Sequence, residues 1–225
     1  MNKNYIIIRP TGSLCNRLRV ILSYKHEYPD KLIKVLWLMY DKAVGCKFED
    51  YFEPIANIEF YDDKYWSEFT KIGIDYIGCY IINNNFITTV ADILKPNKYI
   101  EDKIDLFLKD ITTFKSIHIR RTDLWNQKSK LGVTSDEEFE SFIKEHSDVK
   151  IFLATDNSET QTYFSKKYKN IFFYDEIKTN YWDYKLPRNT SMEIAIIDLF
   201  ICSKSNEFLG TTHSSYSDLI YWLRS

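Results

Sequence analysis

Ser116-Ile117-His118-Ile119-Arg120-Arg121-Thr122-Asp123 reads as a short strand running into a charged turn. Successive side chains of an extended chain point to opposite faces, so Ile117 and Ile119 share one face and His118 and Arg120 the other. The aliphatic pair anchors the strand, and an imidazole and a guanidinium are expected to emerge at its carboxyl end. Just downstream, Ser135-Asp136-Glu137-Glu138 has the spacing of a capping box, with Ser135 as N-cap and Glu138 at the third helical position. Lys150 to Ala154 then reads as a strand, followed by Thr155-Asp156-Asn157-Ser158 and a helix to about Lys167. Asn170 to Tyr174 is a strand, Thr190 to Cys202 a helix, Asn206 to Gly210 a strand and Ser215 to Leu223 a closing helix. Alternation of this kind predicts a parallel sheet covered by helices.

The same pattern extends upstream. Tyr5 to Arg9 is an apolar run that enters the turn Pro10-Thr11-Gly12-Ser13, and Leu14, Leu18, Ile21 and Leu22 then recur at helical spacing. Ile33 to Tyr40 reads as a second strand and Asn57 to Tyr61 as a third. From Tyr76 to Val90, around the Asn83-Asn84-Asn85 turn, no period stands out. Lys95-Pro96-Asn97-Lys98 breaks the chain before an amphipathic helix from Tyr99 to Leu108. The expected fold is therefore α/β, with two small Rossmann-like domains, residues 1–110 and 111–225, and a cleft between them. No internal repeat is visible.

Composition narrows the function classes. At roughly 150 residues per domain, 225 residues make one large domain or two small ones. Thirty basic against 32 acidic side chains give a formal charge of -2, which supplies no general attraction to nucleic acid or anionic lipid. With only six Gly and five Pro, a sandwich of many short strands lacks its turns. The cysteines, Cys15, Cys46, Cys79 and Cys202, form no C-x-x-C pair and read as free thiols of a reducing compartment. The apolar run near the start is too short for a signal peptide, and no run is long enough to span a membrane. A cytoplasmic location is expected, with Asn189-Thr190-Ser191 a loop rather than a glycosylation acceptor.

In open α/β sheets ligands bind beyond the carboxyl ends of the strands. After the first strand comes Gly12-Ser13-Leu14-Cys15-Asn16-Arg17, where a helix start offers backbone N–H groups to an anion and Arg17 adds charge. Arg120 and Arg121 suit a diphosphate, because a planar guanidinium donates paired hydrogen bonds to its oxygens. Asp123 is placed to orient an arginine or to accept from a base or sugar hydroxyl. Asp156 follows the next strand, as an N-cap or a ligand contact. Gly210-Thr211-Thr212-His213-Ser214-Ser215 combines hydroxyls with a helix N-terminus. Asp198 lies in a helix among Ile196, Ile197, Leu199 and Phe200; a carboxylate there needs donors, and a guanine N1–H and N2–H₂ edge supplies two.

Taken in order, these segments resemble the fucosyltransferase superfamily of α1,6-, nodulation and protein O-fucosyltransferases. His118-Ile119-Arg120-Arg121-Thr122-Asp123 is similar to the family's first motif. Phe152-Leu153-Ala154-Thr155-Asp156 is similar to the second, and Asp198 to Ser203 with Gly210 to Ser215 to the third. Gly12 to Arg19 resembles the Gly/Asn loop that faces the donor in the protein O-fucosyltransferases. The resemblance implies a GT-B fold and an inverting, metal-independent transfer of fucose from GDP-fucose to an oligosaccharide or glycoconjugate acceptor. Arg120 would contact the β-phosphate, Arg121 would support it, and His118 and Asp123 would sit near ribose and guanine. Asp198 would read the guanine edge, and Thr212, Ser214 and Ser215 would line the phosphate cradle. Gly12 and Asn16 would approach the phosphates and the sugar.

No Asp-x-Asp metal motif is present, and Asp62-Asp63 reads as a solvated turn; no cofactor is expected. Where α1,6-type enzymes place a carboxylate suited to be a base, this chain has Gln127-Lys128-Ser129, so the sequence assigns no catalytic base; Asp123 is one candidate, and a dissociative path with little base help is the alternative. The rival readings are a transferase of another GDP-hexose and a silent nucleotide- or glycan-binding module.

Overall fold

A computed structural model describes residues 3–39, 44–82, 84–121, 133–177 and 190–225. The chain divides into two compact units, Met1–Lys98 with Ser225 and Tyr99–Arg224.

The first unit runs β1 (Tyr5–Pro10), α1 (Leu14–Glu27), β2 (Leu32–Leu36), β3 (Ile58–Tyr61), a 3₁₀ turn (Asp63–Tyr65), α2 (Trp66–Ile72), β4 (Tyr76–Gly78), a second 3₁₀ turn (Asn85–Thr89) and α3 (Val90–Ile93). Its four strands are parallel in the order β3-β2-β1-β4. Both faces are covered, which is why β1 is a nearly unbroken aliphatic run. Helix α1 buries Leu14, Leu18, Ile21 and Leu22. On the α2 side Ile7, Leu36, Leu38 and Phe69 form a cluster with Tyr61, Tyr65 and Trp66 packed against it. The expected strand Ile33 to Tyr40 ends at Leu36. Trp37 N–H still bonds Tyr61 O at 2.8 Å, and the indole N–H then reaches Cys46 O at 2.7 Å as the chain leaves the sheet.

The second unit runs α4 (Lys98–Leu108, whose first residue closes the first unit), β5 (Lys115–Ile119), α5 (Asp136–Glu145), β6 (Ile151–Thr155), α6 (Ser158–Lys167), β7 (Ile171–Phe172), α7 (Met192–Lys204), β8 (Phe208–Gly210) and α8 (Ser215–Leu223). Its strands are also parallel, in the order β7-β6-β5-β8. Each unit thus adds two strands to one side of its first strand and the last strand to the other. That reversal leaves a crevice at the carboxyl ends of β1/β4 and of β5/β8, where doubly wound sheets hold ligands.

Strand β5 shows the alternation the sequence predicts. Ile117 and Ile119 pack with Phe139, Ile143, Ile151, Leu153 and Phe164 beneath α5 and α6. The opposite face carries Ser116, bonded to Ser205 Oγ at 2.6 Å, and His118. The capping box at Ser135 and Glu138 is formed in both directions. All four cysteines are free thiols, Cys79 half-buried and the others buried. Among the described residues no helix is long and apolar enough to cross a membrane.

Candidate active site

The end of β5 is held from both sides by threonine hydroxyls. Thr211 Oγ1, just after β8, donates to His118 O at 2.8 Å, and Thr155 Oγ1, at the end of β6, donates to Ile119 O at 2.7 Å. The next two amides are pinned alternately. Arg120 N donates to Thr211 Oγ1 at 2.9 Å, and Arg121 N donates to Asp156 Oδ1 at 2.9 Å. A strand end fixed in this way aims its two guanidinium groups to opposite sides.

Arg121 turns inward. Its Nε donates to Thr160 Oγ1 at 3.2 Å and its Nη2 pairs with Asp136, so it fastens the first turns of α5 and α6 to the strand. Arg121 and Asp156 are thus placed as supports of the strand end. Arg120 lies on the face of His118, half-exposed, and its charge is felt by the imidazole.

His118 does not emerge from the strand as expected. It is 4% exposed, with Nδ1 2.8 Å from Ser217 Oγ and the ring 4.5 Å from that of Tyr216. Burial, and secondarily the Arg120 charge, push its pKa down to about 3, so the ring is neutral throughout the working range. The ring's contacts with described residues are the Ser217 hydroxyl and the Tyr216 ring.

The turn before α8 forms the other wall. Thr134, which sequence reasoning passed over, donates to Gly210 O at 3.1 Å and accepts from Thr212 N at 2.9 Å. Its hydroxyl also lies 2.8 Å from that of Thr212. His213 takes a positive φ of 62°, which swings the chain into α8. Ser214 is the N-cap, its buried hydroxyl accepting from Ser217 N, while Ser215 opens the helix half-exposed. Gly210 is required by packing: a Cβ there would lie 2.6 Å from Ser217 Cβ and 2.7 Å from its Oγ. The amides of the first turn of a helix lack intrahelical acceptors and carry the positive end of its dipole.

Asp198 sits in α7 among Ile196, Ile197, Leu199, Phe200, Ile201 and Cys202, all buried. At 8% exposure it makes no hydrogen bond to any described residue. Burial raises its pKa well above the usual carboxylate range, and the Asp175 carboxylate adds to the rise. A carboxylate buried among apolar side chains is what the donors of a guanine edge would satisfy.

In the first unit, Gly12 takes φ of 86°, and a Cβ there would meet Asn16 Nδ2 at 3.0 Å. Asn16 Nδ2 in turn donates to Ser13 Oγ at 3.3 Å, and the Ser13 side chain makes no cap hydrogen bond to α1. Arg17 was expected to add charge to this turn. Instead it is 1% exposed, with Nε donating to Gly12 O at 3.0 Å and Nη1 to Leu38 O at 2.8 Å. It braces the turn from inside. Asp123 and the Gln127-Lys128-Ser129 stretch lie outside the described residues, as does Asn189. Among the described residues no cluster of three His, Cys, Asp or Glu is placed to hold a metal ion.

The family model described as GDP-fucose protein O-fucosyltransferase matches residues 30–225. Among solved structures, the NodZ alpha-1,6-fucosyltransferase soaked with GDP-fucose is similar over 97% of this chain and 92% of its own, at a TM-score of 0.64 and 13% identity. NodZ from Bradyrhizobium matches over 98% of this chain and 93% of its own, at 0.65 and 13%. POFUT1 in complex with GDP-fucose matches over 98% and 94%, at 0.60 and 10%. No curated protein sequence matches the chain. At such identities the structural likeness establishes the fold, two Rossmann-like units of the GT-B type.

Proposed function

Because this chain belongs to the GDP-fucose protein O-fucosyltransferase family, we propose that it moves fucose from GDP-fucose to a hydroxyl of a glycan acceptor, with inversion at the anomeric carbon and without a metal ion. The observation that carries the reading is the end of β5, where Arg120 stands on the α8 side of a strand clamped by Thr155 and Thr211.

When the sugar–phosphate bond breaks, its electron pair passes to a β-phosphate oxygen and the anomeric carbon becomes positive. Fixed donors placed where the negative charge grows lower that barrier without rearranging. Arg120 supplies a planar pair of N–H donors, and Ser215, at the start of α8, supplies an amide at the positive end of a helix. In this assignment they do the work a divalent cation does elsewhere. Ionised Asp198 accepts from guanine N1–H and N2–H₂, His118 Nε2 meets the ribose, and the Thr212 and Ser214 turn shapes the cradle. Gly12 and Asn16 keep the donor contacts that the resemblance gives them. The acceptor attacks from the face opposite the diphosphate, and its proton leaves to Asp123 or to water. A cytoplasmic location is part of the same proposal.

The test is thermal denaturation with GDP, GDP-fucose, GDP-mannose or UDP, each with and without EDTA, on the natural chain and Arg120→Ala. Ligand at about a hundred times its Kd stabilises by about 2.7 kcal/mol, which raises Tm by about 5–10 °C. GDP and GDP-fucose should give that rise with EDTA present, and UDP should not. Arg120→Ala should keep its own Tm while losing transfer. Retained turnover in Arg120→Ala, or equal response to UDP, overturns the assignment.

A further inference from the structure

Beyond the nucleotide-binding groups, the first unit contains an open cavity of about 260 Å³ at the carboxyl ends of β2 and β3. We propose that this cavity binds one pyranose ring of a neutral glycan. As the acceptor's place, the assignment rests on the transferase reading; as a sugar site, it stands on the chemistry of its walls.

The cavity lies just past the last rung of the β2–β3 pairing, where Trp37 N–H bonds Tyr61 O. Its inner wall is aromatic. Phe60 stacks on Phe48 at 4.0 Å and 9°, and Trp37 meets both edge-on at 5.8 and 6.0 Å. Tyr65 stands edge-on to Tyr61 at 5.0 Å. Trp37 and Phe48 are buried, whereas Phe60, Tyr61 and Tyr65 are half-buried and keep part of their surface for a ligand.

The rim has a different chemistry. Lys47, Lys64, Glu49 and Asp62 also line the cavity, and Lys64 pairs with Asp62 at 3.4 Å. Two ammonium and two carboxylate groups sum to zero, so the rim neither attracts nor selects an anion or a cation. It does offer both hydrogen-bond donors and acceptors. A pyranose matches both parts, because its axial C–H groups form an apolar face and its equatorial hydroxyls both donate and accept. A volume below the roughly 300–1,000 Å³ of drug-sized pockets limits the site to about one ring.

One buried side chain ties this cavity to the Gly12 turn. Arg17 bonds Gly12 O and Leu38 O, and its guanidinium lies 5.3 Å from the centre of the Trp37 ring. The cavity wall and the turn are therefore held in a fixed relation within one unit.

Saturation-transfer NMR tests the proposal on the full chain. The probes are methyl β-D-glucopyranoside, methyl β-D-galactopyranoside and methyl N-acetyl-β-D-glucosaminide, with sorbitol and adenosine as controls. At least one pyranoside should receive saturation at its ring C–H protons, and sorbitol should not. The exposed rim change Lys47→Met with Glu49→Gln should weaken that binding about tenfold. Met39→Trp, which fills the cavity, should abolish it. A GDP-induced rise in Tm, measured on the same samples, reports folding and the second unit separately. Pyranoside signals unchanged in both variants, or adenosine signals without pyranoside signals, overturn the proposal. No pyranoside signal on protein that still responds to GDP overturns the sugar site and leaves the transferase reading standing. Pyranoside binding that the variants remove, on protein unresponsive to GDP, does the reverse.

Discussion

Acidification should weaken the fold through His118 by an amount that follows from its environment. The folded imidazole has a pKa of about 3 against 6.5 in the unfolded chain. Between these values the unfolded state takes up a proton that the folded state does not. The contribution is therefore fully present above pH 6.5 and is lost as pH falls toward 3. At pH 5, one and a half pH units below the unfolded value, the loss is about 2 kcal/mol at about 1.4 kcal/mol per unit. Asp198 titrates in the opposite sense. Its raised pKa makes the folded state hold a proton longer than the unfolded one, so it favours the fold as pH falls. The two contributions oppose each other in the natural chain, and a variant is needed to separate them. His118→Gln keeps a polar group near Ser217 and removes the titration. Urea unfolding at pH 7 and pH 5 should show the natural chain losing about 2 kcal/mol more than His118→Gln over the same interval. The same pH dependence in both proteins would refute a buried neutral imidazole. It would also return His118 to the solvent-facing position that the sequence suggests.

Three further outcomes follow from the same contacts. Gly210→Ala places a methyl group against Ser217 and should cost about 1–3 kcal/mol in chemical denaturation, with a smaller GDP-induced rise in Tm as α8 is displaced. Asp198→Asn removes a carboxylate whose ionised form is disfavoured by burial, so at pH 8 the variant should melt above the natural chain while losing its response to GDP; a variant that still responds fully excludes guanine reading by Asp198. Arg17→Met strands the carbonyls of Gly12 and Leu38 and should cost about 2–6 kcal/mol by thermal unfolding, at about 1–3 kcal/mol for each group left unpaired.

The sequence revealed elements wherever a local rule was sufficient. Ser135 and Glu138 specify a capping box through their own spacing, and the alternating Ile117, His118, Ile119 and Arg120 specify a strand. What was illegible depended on partners far along the chain. Helix α2 is short and β4 has three residues; α2 is held by Phe69 packing on Ile7 of β1 and Leu36 of β2, and β4 by pairing with β1, rather than by their own patterns. The buried position of His118 follows from Ser217, 99 residues away, and that of Arg17 from Leu38. Alternation assigned His118 to a face but gave no indication that α8 covers it; parallel sheets are buried on both sides, so neither face is solvated. Thr134 escaped notice because a threonine has no distinctive spacing, and Thr211 stood out only as one hydroxyl of the Gly210 to Ser215 run, since only the strand ends reveal what the two hydroxyls hold.

The strand order also bears on the time course of synthesis. In the second unit the crevice beside β5 closes only when β8 is laid against it, and roughly 90 residues separate the two strands. At about 5–20 residues per second, the nascent chain carries β5 with one unpaired edge for about 5–20 s. Ser116 and His118 meanwhile lack their later partners, so this edge is the part of the nascent protein most open to pairing with another chain. In the first unit β4 follows β1 by fewer than about 80 residues, and that interval is correspondingly shorter. The second half is therefore where chaperone engagement and aggregation during expression should concentrate.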